Sequence, residues 1–208
     1  MMKLISKNTI VLVAVLGLLL FFNTPYLKQF LIVIIILVFV FSNDDKIFKG
    51  FFKNNLSILK LVTYSFSLAF GFLILMKFAI KPALENIIKV PVNYGSFDLV
   101  KNNINFLIRS YFIGWIIGAF CEEIIFRGFL LNSISSIFSK KIGIVIAILL
   151  SSVIFGYLHN YQGITGQFLT GFTGVFLSII YLKSRKNVWL CILTHGFINT
   201  LSLTALYF

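Results

Sequence analysis

Apolar residues fall in seven runs along the chain, separated by short polar or charged stretches. The runs cover Thr9–Phe22, Tyr26–Phe41, Leu56–Ile80, Ile104–Leu131, Ile142–Leu158, Thr165–Leu182 and Val188–Tyr207. A helix crosses a bilayer with roughly 20 apolar residues, so the pattern predicts about seven membrane-spanning helices. The first two are short and are separated only by Asn23, Thr24 and Pro25, which suits a tight helical hairpin. Lys3 and Lys7 ahead of the first run also match the start of a signal peptide. No small-residue cleavage site follows and a second apolar run comes at once, so an uncleaved anchor is expected.

Composition supports this reading. Of 208 residues, 59% are hydrophobic and 12% charged, with a mean hydropathy of +1.00. Soluble domains keep about a quarter of their residues charged, so the outward faces here need lipid as their solvent. The expected fold is all-α, a polytopic transmembrane helical bundle, with no length left for a second, soluble domain. The net charge of +12 does not point to nucleic acid, because the lysines lie mainly between apolar runs. There they set orientation and meet anionic lipid head groups.

The loop charges alternate. Lys3 and Lys7, then Lys46, Lys49 and Lys53, then Lys140 and Lys141, then Lys183, Arg185 and Lys186 mark one side. By the positive-inside rule the N-terminus is cytoplasmic and the C-terminus is outside, in what is expected to be a bacterial plasma membrane. The third loop is the exception: it holds Lys81, Lys89 and Lys101 on the side expected to be outside. Its Pro82–Val90 part suits a short helix lying on the membrane surface. The two cysteines, Cys121 and Cys191, lie inside apolar runs and support neither a disulfide nor a cysteine metal site.

Candidate chemistry sits where charge is least welcome. Of six acidic residues, Asp44, Asp45, Glu85 and Asp98 are in loops, while Glu122 and Glu123 lie inside the fourth run, followed by Arg127. A charged side chain at mid-membrane costs about 2.5–3.5 kcal/mol on the lenient insertion scale, so three in one segment need an internal reason. Glu123 and Arg127 are four apart and can pair on one helix face. Taken alone, such a pair only fixes packing. Glu122 points about 100° away, faces Phe126 at i+4 and has no local partner, which makes it the better working carboxylate.

Both histidines join these acids. His159 closes the fifth run and His195 lies in the seventh, four residues before Asn199 on the same face. A single intramembrane histidine more often bonds one helix to another. Every histidine of the chain sharing the membrane with its only membrane acids favours a site, and donors of this kind can stabilise an oxyanion. Counting along straight helices from their cytoplasmic ends puts Glu122 about 14 Å deep, His195 about 11 Å and His159 about 25 Å. His159 is therefore expected to lie about 10 Å from the rest unless helix tilt closes the gap.

Three motifs emerge in order: Glu122-Glu123-Ile-Ile-Phe-Arg127, Phe155-Gly-Tyr-Leu-His159 and His195-Gly-Phe-Ile-Asn199. Together they resemble the CPBP family of intramembrane proteases, the CAAX-protease and bacteriocin-processing enzymes also called Abi proteins. The resemblance covers Ile104 to Tyr207. It divides the chain into residues 1–103, carrying the first three runs and the third loop, and a catalytic core over residues 104–208. It implies hydrolysis of a peptide bond in a membrane-associated peptide or protein. Glu122 with His159 would activate water, His195 with Asn199 would bind the oxyanion, and Glu123 with Arg127 would hold the site in shape. No cofactor is expected. The alternative within the family is zinc held by Glu122, His159 and His195. A second alternative is a non-catalytic self-immunity or regulatory protein of the same family, and a third is a transporter or proton relay. The implied partners are the bilayer and a membrane-associated peptide or protein. Composition suits an AT-rich bacterial genome, where a leader or signalling peptide is the expected substrate; oligomeric state is not readable.

Overall fold

The computed structural model describes residues 7–22, 24, 26–42, 52–138 and 140–208. Lys3, Asn23, Pro25, Asp44, Asp45, Lys46, Lys49 and the Lys140 side chain lie outside the described residues. All described elements are helical. The α-helices are α1 (Lys7–Phe21), α2 (Leu27–Ser42), α3 (Ile58–Leu75), α4 (Lys81–Ile88), α5 (Ile104–Ile113), α6 (Leu131–Ile137), α7 (Lys140–Tyr157), α8 (Gly163–Lys183) and α9 (Val188–Tyr207). Several are fused by wider π turns, so the described residues form seven apolar helical rods. Four of them are long and apolar enough to cross a membrane; Lys7–Phe21, Leu27–Ser42 and Lys141–Tyr157 are shorter. The chain is a multi-pass helical membrane protein.

The short first rod has a physical consequence. Its 15 residues span about 22 Å, less than the ~30 Å hydrocarbon core. α1 and α2 pack on one another, and Lys28 Nζ donates to the Leu19 carbonyl at 3.3 Å. The pair then leans on the fourth rod. Phe39 of α2 meets Phe129 edge to face at 6.2 Å, and Leu12, Val15, Ile32 and Ile36 join the same buried cluster. Lipid-facing positions such as Phe66, Phe70, Phe112 and Val153 stay exposed, as large apolar side chains do when the bilayer is the solvent.

Two boundaries differ from the sequence expectation. The stretch from Lys81 to Ile88 is helical but does not stand apart: it continues α3 through a π turn at Met76–Ile80, giving one rod over Ile58–Ile88. Pro82 has no N–H to donate to the helix, and it directly follows the π turn, where the regular bond pattern is already interrupted. The fourth rod runs on to Ile137 rather than ending at Leu131. Its last turns are polar, yet Ser135 and Ser136 donate back to the carbonyls of Asn132 and Ser133, so their hydroxyls are satisfied inside the helix. Asn side chains cap the rods that carry the candidate chemistry: Asn103 accepts from Phe106 N and Asn187 from Leu190 N.

Candidate active site

The fourth rod places the acidic pair at a winding defect. A π-helical stretch over Gly114–Cys121 precedes Glu122 and Glu123, and a second over Ile124–Leu130 follows them. Such turns often occur at functional sites, because they re-aim side chains without breaking the backbone ladder.

Glu123 is fully buried, and one of its oxygens gathers two donors. Arg127 Nη1 donates to Oε1 at 2.8 Å, and His195 Nδ1 donates to the same oxygen at 2.8 Å. Arg127 also donates from Nη2 to the Gly174 carbonyl of α8 at 3.0 Å. Its guanidinium lies over the Phe155 ring of α7, 4.7 Å from the centroid. This pair of charges therefore ties the fourth rod to α7, α8 and α9. That network is the internal reason for placing Glu123 and Arg127 in an apolar segment.

Phe155 joins the second motif to the third. Its ring lies 4.9 Å from the His159 ring and 5.9 Å from the His195 ring. His159 thus sits on the same aromatic hub as His195, on the other motif-bearing helix. α7 ends at Tyr157, and His159 occupies the following turn, with φ −97° and ψ 31°, where the chain reverses. Gly163 completes the reversal at φ 72° and ψ 177°, a conformation essentially reserved for glycine. His159 Nδ1 donates to the Phe155 carbonyl at 2.7 Å, leaving Nε2 with its lone pair.

Glu122 contrasts with its neighbour. Its side chain makes no hydrogen bond to a described residue, and its Oε2 is buried without a partner. It lies within electrostatic reach of Glu123, Arg127 and Tyr161. No direct hydrogen bond joins Glu122 to His159.

Asn199 sits beside the same rod, further toward its start. Its Nδ2 donates to the Gly114 carbonyl at 2.9 Å. Gly118 makes that approach possible, since a Cβ there would stand 2.8 Å from Asn199 Nδ2. The same antiparallel seam continues in contacts that the motifs do not signal. Trp115 Nε1 donates to Thr200 Oγ1 at 3.0 Å, and the Tyr111 and Thr204 hydroxyls bond at 2.7 Å. The four-residue step from Thr200 to Thr204, on the helix that bears His195, was the available clue.

The donor set was weighed as a metal site. Among the described residues no three His, Cys, Asp or Glu side chains gather so as to hold a metal ion. His195 Nδ1 is held by Glu123 and His159 Nδ1 by a main-chain carbonyl, so in each ring Nε2 is the nitrogen left for a water or a metal ion. Cys121 and Cys191 are both free and buried.

The family model described as type II CAAX prenyl endopeptidase Rce1-like matches residues 104–201. The match opens at the first residue of α5, contains all three motifs and ends within α9. No curated protein and no solved structure matches the chain.

Proposed function

We propose that this chain, a member of the CAAX-protease family through residues 104–201, hydrolyses a peptide bond of a membrane-associated substrate with water activated on Glu122. The observation that carries the reading is the Phe155 ring, against which both His159 and His195 pack, His195 being bonded to Glu123.

In this mechanism Glu122 and the free Nε2 of His159 hold the attacking water. The water oxygen adds to the scissile carbonyl carbon, its proton passes to Glu122, and the carbonyl electron pair moves onto oxygen. The second N–H of the Asn199 amide, which the bond to Gly114 leaves uncommitted, donates to that oxyanion. His195 contributes from Nε2 when its ring carries both protons, since Nδ1–H is already committed to Glu123. As the C–N bond breaks, Glu122 returns the proton to the leaving amine. This is a glutamate-type protease, with Glu123 and Arg127 holding His195 in place.

The test is cleavage of a candidate membrane-anchored peptide by purified protein. Glu122→Gln lowers kcat by at least about 10²-fold, the usual scale of a general base. Cleavage by that variant at the wild-type rate would overturn the mechanism. A role in self-immunity without catalysis would instead leave the cellular phenotype intact in both Glu122→Gln and His195→Ala.

A further inference from the structure

One aromatic residue beside the site is unaccounted for by the three motifs. Tyr161 lies two residues past His159, in the 3-10 turn Asn160–Gln162. Its ring is 5.7 Å from the His159 ring and meets Phe97 edge to face at 6.1 Å. Tyr161 is 42% exposed, so core packing does not explain it. Its hydroxyl oxygen accepts from Gln162 Nε2 at 3.2 Å, and its own proton goes to no described residue.

The position of this phenol is fixed by a rim built from two distant parts of the chain. Asn93 N donates to the Gln162 carbonyl at 2.9 Å, and Thr165 Oγ1 donates to the Val90 carbonyl at 2.5 Å. Gln162 N closes the turn on the His159 carbonyl at 3.0 Å. The loop that carries Phe97 and the turn that carries His159 are therefore one unit.

We propose that Tyr161 is a substrate-positioning residue, its hydroxyl donating to a main-chain carbonyl of the peptide next to the scissile bond and its ring, braced by Phe97, flanking the substrate on the His159 side. The chemistry of the substrate calls for such a donor. A membrane segment must unwind locally to present a scissile bond, and its freed carbonyls find no water in the bilayer. A fixed neutral donor at the rim meets that need and is tolerant of side-chain identity. The proposal rests on the reading of the site as a peptide hydrolase.

The experiment uses full-length protein in lipid vesicles and a cleaved sequence chosen from lipid-anchored, internally quenched peptides. Loss of cleavage in Glu122→Gln establishes that hydrolysis belongs to this site. Tyr161→Phe then raises KM about three- to tenfold, the scale of one neutral hydrogen bond, with kcat held within about twofold. Phe97→Leu, which keeps the hydroxyl and removes the brace, also raises KM, and Tyr161→Ala exceeds either. Wild-type kinetics in Tyr161→Phe, or a fall in kcat at unchanged KM, would overturn the role of Tyr161 alone. Absence of any cleavage sensitive to Glu122→Gln would overturn hydrolysis, and the proposal with it.

Discussion

His195 and Arg127 donate to one and the same oxygen of Glu123, each at 2.8 Å, in a pocket closed to solvent. The second carboxylate oxygen and Arg127 Nε are buried without a hydrogen-bond partner among the described residues, so the charges are compensated chiefly through this single atom. Adjacent Glu122, which makes no hydrogen bond to a described residue, stands outside the arrangement. Two neighbouring glutamates thus have separable effects, one on integrity and one on reactivity.

Glu123→Gln removes the charge that faces the buried guanidinium. Breaking one side of a buried pair costs about 3–5 kcal/mol, because the remaining ion stays desolvated. Thermal unfolding in detergent should show a large drop in Tm. Glu122→Gln, which interrupts no hydrogen bond, should melt close to wild type. Equal melting of the two variants would contradict the division of roles.

Asn199 depends on the absence of a side chain at Gly118. Gly118→Ala puts a methyl group 2.8 Å from Asn199 Nδ2 and forces the amide away from the Gly114 carbonyl. The expected outcome is a fall in kcat approaching that of Asn199→Ala, about 10²–10³-fold for one lost oxyanion donor. Steady-state kinetics of both variants and their double mutant check this, the double falling no further than Asn199→Ala.

The outer part of the seam between the fourth rod and α9 is structural. Thr204→Val removes the bond to Tyr111, and Thr200→Val removes the bond from Trp115. Interhelical hydrogen bonds in membranes average about 0.6 kcal/mol and reach about 1.7 kcal/mol. Each variant should lose stability on that scale in a denaturant titration while retaining kcat.

A glutamate-type reaction predicts indifference to chelation. Purified protein incubated with EDTA or phenanthroline and then dialysed should cleave its peptide at the untreated rate. Loss of activity restored by added zinc would assign Glu122, His159 and His195 to a metal instead.

Much of this was legible in the chain itself. Apolar runs located the seven rods, four of them long enough for a bilayer, because hydrophobic length is a local property that lipid reads directly. Four-residue spacing placed Arg127 over Glu123, since neighbours on a helix surface need no tertiary information. The polar last turns of the fourth rod misled the boundary, as self-bonding serines are indistinguishable in sequence from a loop. The π turns around Glu122 were invisible too, being a response of the backbone to packing rather than a preference of Gly114–Leu130. What tertiary structure alone decided is which partners the charged groups chose. His195 bonds Glu123 across 72 positions, and Arg127 reaches the Gly174 carbonyl across 47. His159 meets them through the Phe155 ring, at the turn that follows Tyr157, and a contact between rings on different helices is decided by how those helices pack.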